Sequence, residues 1–181
     1  MAAGKNENSR NAKDQDSSYL LVEAPLTDIS LVESPRLREI LKFWESQKRG
    51  DDVPLWKSFN PMNFPDILPT ISVFSNEGTL DEPDYLLRVE GEQSARIMDL
   101  PTSMTRVREL DSYFSNTRLR EHLDIMAREK MPIYFIRNMG WREYKDYINY
   151  EILCMPFATQ ENGPVDRFLS TKTFNQKPLK K

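Results

Sequence analysis

One histidine and one cysteine, His122 and Cys154, occur among 181 residues, and this pair alone narrows the chemistry available. A single imidazole supports neither a two-histidine metal site nor a Ser-His-Asp triad with a base to spare. A single cysteine excludes an internal disulfide and any cysteine-cluster metal centre. The six glycines form no Walker or dinucleotide loop, so nucleotide hydrolysis and hydride transfer lack their usual supports. Arg88, Glu90 and Glu92 alternate on or just after one strand-like segment, and Glu143 and Asp146 fall in a turn. No pair among them is placed to act as acid and base, and all are read as solvated faces. Met98, Met104, Met126, Met131, Met139 and Met155 either fill gaps or line an adaptable cavity, because thioether side chains repack around a guest.

The elements that position these residues belong to one ordinary domain with tails, enough chain to bury roughly two thirds of its unfolded surface. Twenty-five basic and 28 acidic residues are interspersed and leave a net charge of -3. No one-signed field is available to hold a nucleic acid. The reduced cysteine count favours the cytoplasm, and the sequence shows neither a signal peptide nor an apolar run long enough to cross a bilayer. Residues 1–18 offer almost nothing to bury and read as a disordered tail; 19–174 form the domain, and 175–181 a basic tail.

Within the domain, Ser34-Pro35 starts a helix whose stripe is Leu37, Ile40, Leu41 and Trp44, stopped by Gly50. Pro61, Pro65 and Pro69 then lead stiffly into a strand at Thr70–Phe74. Asn60 caps a turn begun by Pro61, and Pro69 pushes Leu68 toward extended geometry. "YLLRVEG" is a second strand, able to form a hairpin with the first. Short helices and loops follow over 92–114. From Asn116, one helical face collects Leu119, His122, Leu123, Met126 and Ala127, ending before Pro132. "MPIYFIRNMG", "DYINYEILCMPF" and "DRFLSTKTF" supply three more strands. In the middle one Ile148, Tyr150, Ile152 and Cys154 share a face opposite the more polar Tyr147, Asn149 and Glu151. The fold class is α+β: a five-stranded antiparallel sheet with helices on one face and an N-terminal flanking helix.

Several stretches resemble the PAS superfamily, and within it the single-domain PAS proteins of alphaproteobacteria catalogued as a domain of unknown function. They are "LREILKFWESQKRGDDVPLWKSFNP", "PDILPTISVF", "YLLRVEG" and "YEILCMPFATQENGPVDRFL", spread over about 34–174. Glu92 follows Gly91 where that family has Gly-Thr, and "IMDLPTS" replaces its Gly-Arg-Asp and Thr-Gly positions. The resemblance therefore transfers the fold rather than a ligand.

The resemblance implies a cavity between sheet and helices, with Leu87, Met98, Met104, His122, Leu123, Met126, Phe135, Tyr150 and Ile152 as its expected lining. Haem-binding PAS proteins carry their axial histidine on the helix of His122. A lone histidine on a mixed face reads instead as a half-buried packing residue. Flavin-binding PAS proteins carry their adduct cysteine in the helical insert, whereas Cys154 lies on a late strand and reads as core filler. No cofactor, metal or catalytic residue is assigned. Trp141 and Tyr144, in a turn, and Trp44 mark the expected partner surface, for a homodimer or another signalling protein; Trp44 serves the core equally well. The function implied is a cytoplasmic sensory or signalling module that binds a small molecule or protein partner without catalysis. A small α+β enzyme using the cavity for acid-base chemistry, and a ligand-free structural adaptor, are the alternatives.

Overall fold

The proline-rich entrance at 60–74 shows how local chemistry shapes this chain. In the computed structural model, which describes residues 18–110, 118–141 and 143–175 with the side chain of Trp141 excepted, Asn60 Oδ1 accepts a hydrogen bond from the Met62 amide at 3.0 Å. Pro61 opens a 3-10 turn, Pro61–Asn63. Pro65 opens a second, Pro65–Thr70, which runs through Pro69. Leu68 is therefore helical, not extended as expected from the proline after it. Contacts from outside hold this run: Arg36 Nη1 donates to the Asp66 carbonyl at 2.7 Å, and Gly91 lies against its end. A Cβ on Gly91 would sit 2.5 Å from the Pro69 oxygen and 2.6 Å from the Leu68 oxygen, so only glycine allows this approach.

Seven strands form one antiparallel sheet: β1 (Tyr19–Glu23), β2 (Ile71–Asn76), β3 (Tyr85–Glu90), β4 (Thr105–Arg106), β5 (Ile133–Asn138), β6 (Asn149–Phe157) and β7 (Arg167–Asn175). Their order is β1-β5-β6-β7-β2-β3-β4. The five expected strands are β2, β3, β5, β6 and β7, and β2 pairs with β3 as the expected hairpin. The sheet is wider than expected because β1 and the two-residue β4 extend its edges. Neither has a clean local alternation. β1 is shaped by pairing with β5, more than a hundred residues away, across a register shift between Tyr19 and Leu21. Ser18, assigned to the N-terminal tail, is buried and belongs to this edge: its carbonyl accepts from the Asn138 amide at 2.7 Å. Asn175 ends β7 instead of starting a tail. The remaining tail residues 1–17 and 176–181, the helix start at Asn116 and the turn residue Arg142 lie outside the described residues.

Helix α1 (Pro35–Ser46) buries Leu37, Ile40, Leu41 and Trp44, the stripe read from its spacing, and ends four residues before Gly50. It covers one face of the sheet. Helices α2 (Glu92–Met98), α3 (Val107–Leu110) and α4 (Leu119–Glu129) cover the other. With helices on both sides, every residue of β6 is buried, including Asn149 and Glu151, which the alternation had placed on a polar face. Among the described residues no helix is long and apolar enough to cross a membrane.

Candidate functional site

Between the sheet and α2–α4 lies a cavity of about 80 Å³. Strand alternation builds its floor. Phe135 and Arg137 from β5, Tyr150, Ile152 and Cys154 from β6, and Phe168, Ser170 and Lys172 from β7 face inward at every second position. From β3 come Leu87 and Glu90, three residues apart. A register shift at Val73/Phe74 makes this possible: Phe74 pairs with Leu87 but Ser72 with Glu90, so both β3 residues point the same way. The roof is Met98 and Leu100, Leu110, and from α4 Leu119, His122, Leu123 and Met126. Tyr19 of the edge strand β1 closes one side.

Eight of the nine expected lining residues meet here: Leu87, Met98, His122, Leu123, Met126, Phe135, Tyr150 and Ile152. Met104 does not. It is 66 % exposed, with a left-handed backbone at φ 56° that turns the chain into β4. Met139 and Met155 are core, and Met131 is half-buried away from the cavity. Trp44 is core rather than partner surface: 2 % exposed, its Nε1 donates to the Pro156 carbonyl at 2.7 Å. Tyr144 is 83 % exposed. Trp141 ends a 3-10 turn, Met139–Trp141, and its side chain lies outside the described residues.

Glu90 is not on the solvated face that its alternation with Arg88 and Glu92 predicts. Its side chain and that of Lys172 are instead among the most deeply buried polar groups, 1 % and 5 % exposed. Lys172 Nζ donates to Glu90 Oε1 at 2.9 Å and to Ser72 Oγ. Period-two reading of "DRFLSTKTF" does place Lys172 on one face with Phe168 and Ser170. Nothing local marks that face as the inner one. Arg88 and Glu92, its sequence neighbours, are exposed as expected, as are Glu143 and Asp146.

His122 is buried more fully than expected, at 3 % exposure, and its Nε2 has no hydrogen-bond partner among the described residues. Its ring packs against Phe135, centroids 5.1 Å apart, and edge-on to Tyr19 at 6.0 Å. Burial, with the charges of Arg118 and Arg137 adding and Glu121 opposing, pushes its pKa down to about 4, so it is neutral at neutral pH. Arg137 Nε donates to Ser18 Oγ at 2.7 Å, and its guanidinium lies 4.5 Å from the Tyr19 ring centre. Burial pushes the Cys154 thiol up to about 11, so it is not a thiolate nucleophile at neutral pH. Cys154 does more than fill the core, since it borders the cavity. This space lies far below the roughly 300–1,000 Å³ typical of sites for large ligands and is too small for a haem macrocycle. No group of three or more His, Cys, Asp or Glu side chains suited to a metal occurs among the described residues.

Two side chains, Tyr85 and Lys145, fix the roof. Tyr85 Oη donates to Asp124 Oδ1 at 2.7 Å, tying α4 to β3. Lys145 Nζ reaches the Ile97 carbonyl and Asp99 Oδ2, both at 2.7 Å, tying the end of α2 to the β5–β6 connection.

A family model described as PAS domain matches residues 32–171. The chain belongs to the PAS domain family, whose members are sensory and signalling modules and in general not enzymes. No curated protein matches the chain.

Proposed function

We propose that this PAS domain is a non-catalytic sensor that takes a small molecule into the cavity between its sheet and α2–α4, and passes occupancy to a protein partner. The observation that carries this reading is the cavity itself, lined by thioethers and yet holding a buried ion pair and an imidazole nitrogen with no partner among the described residues. A filled-core adaptor has no use for such an arrangement. Polar groups buried in apolar surroundings are costly unless satisfied, and a guest is one way of satisfying them.

Transmission follows from who touches the guest. Tyr19 borders the cavity and belongs to the edge strand β1, where its ring meets His122 and Arg137. A guest that favours one arrangement of these three shifts the population of docked β1, and with it the edge presented to a partner. Partner classes are a second copy of the chain or another signalling protein, with exposed Tyr144 in the β5–β6 connection as one contact. Native mass spectrometry of the gently purified protein tests the reading. A retained small molecule, released on acid unfolding, is expected; an unliganded mass, with no small molecule from a metabolite extract shifting the midpoint of unfolding, would overturn it.

A further inference from the structure

The groups lining the cavity restrict what its occupant can be. A lysine ammonium has three protons to donate. Those of Lys172 find two acceptors among the described residues, Ser72 Oγ and Glu90 Oε1. Glu90 Oε2 accepts from none of them. One donor and one acceptor thus stand side by side at the polar end of an apolar chamber walled by Leu87, Met98, Leu123, Met126 and Ile152.

Charge balance sharpens the point. Lys172 and Glu90 neutralise one another, while the charge of Arg137 lies on β5, two strands away, with Ser18 and the Tyr19 ring against it. An ionised head group set against that balanced pair would be an uncompensated charge in a space of low dielectric, which is heavily disfavoured. At roughly 10–15 Å³ for each water-sized group, 80 Å³ admits about six heavy atoms.

Resting on the reading of this cavity as the ligand site, we propose that its ligand is a small uncharged alcohol or phenol. Its hydroxyl accepts the third Lys172 proton and donates its own to Glu90 Oε2. Its apolar body lies along Ile152 toward Phe135 and contacts Met98 and Met126. A hydroxyl is the smallest uncharged group that is donor and acceptor at one atom, as this pair of neighbours requires. The other polar point, His122 Nε2, belongs to a ring packed on Phe135 of β5. Phe135, Ile152 and Lys172 form one cross-strand row, so that point lies about two strand spacings, roughly 10 Å, from Lys172 along the floor. One small hydroxyl does not serve both.

Methionine methyl signals provide the test, since Met98 and Met126 line the cavity while Met62 and Met104 are exposed controls. Full-length protein carrying carbon-13 methionine methyls is titrated with 1-butanol, butyrate and butylamine, and separately equilibrated with xenon. Butanol is expected to shift Met98 and Met126 saturably and leave Met62 and Met104 in place, with butyrate and butylamine at least tenfold weaker. In the double variant Lys172→Met/Glu90→Gln, which removes both charges together and so strands neither, butanol affinity should fall about tenfold while the xenon response remains. Butyrate or butylamine saturating below butanol would overturn the proposal. So would an unchanged butanol affinity in the double variant, or a loss seen only in His122→Phe, which would move the head group to α4. Xenon shifts without any alcohol shift would sink the ligand class alone. Silence to both would sink the cavity as a ligand site.

Discussion

One sheet carries two differently built faces. On the α1 face, Trp44 fills its site with its indole nitrogen bonded to Pro156, and the buried Glu151 carboxylate accepts from Tyr134 Oη at 2.9 Å and from the Ser34 amide at 3.0 Å. Among the described residues, Thr171 Oγ1 is a buried side-chain atom there with no partner. On the α4 face, thioethers and aliphatic side chains leave a chamber, an ion pair replaces a hydrocarbon contact, and an imidazole nitrogen has no partner among the described residues. Both faces are supplied by the same strands, residue by residue: Leu153 faces α1, Ile152 the chamber. The difference teaches that sheet stability is anchored on one side, which leaves the other free to be imperfectly packed.

The largest expected effect lies on the anchored side. Trp44→Ala should cost about 3–5 kcal/mol in urea unfolding; a loss below about 1 kcal/mol would break the comparison. Next comes acid on the chamber side. His122 takes its proton near 6.5 when unfolded but only near 4 when folded, so its stabilising contribution is complete above pH 6.5 and is lost as the pH falls toward 4. The change is about 3 kcal/mol. His122→Phe should flatten that part of the stability profile, and parallel profiles for the two proteins would remove imidazole burial as its cause.

A neighbouring pair sharpens the contrast further. Leu153→Phe should lose about 1–3 kcal/mol by overpacking, whereas Ile152→Phe, one residue away, should gain about 0.5–2 kcal/mol by filling space and block entry to the chamber. Equal losses for both would mean that the two faces are packed alike. The smallest effect belongs outside both faces: Tyr144→Ala should leave the monomer's stability within about 0.5 kcal/mol. Sedimentation of that variant against wild type then reports whether the exposed ring contributes to self-association.

What the sequence revealed follows this division. Helical spacing located His122, Leu123 and Met126 on one face of α4, and Leu37, Ile40, Leu41 and Trp44 on one face of α1, because amphipathic periodicity is a local signal. Strand alternation gave Tyr150 and Ile152 correctly as partners on one face. It went astray where a long-range event reset the phase. The register shift in the β2–β3 pair turns Glu90 inward although Arg88 and Glu92 point out. Lys172 is drawn inside by that carboxylate, 82 residues away, and a lysine in a strand otherwise reads as solvent-facing. β1 exists only where β5 has formed beside it. Met104 shows the converse error: an apolar residue type suggested burial, while its left-handed backbone places it on a turn.

Lys172 also makes bonds on both sides of the sheet. While its ammonium reaches into the chamber, its carbonyl accepts from Arg36 Nη2 at 2.6 Å, and that same guanidinium nitrogen donates to Thr70 Oγ1. A single residue is thus tied to α1 through its carbonyl and to the ion pair through its side chain. This gives the domain a built-in vibrational gauge: a carbon-13 label on the Lys172 carbonyl, read in the amide I band, would register a change of chamber contents as a change in the strength of its bond to α1.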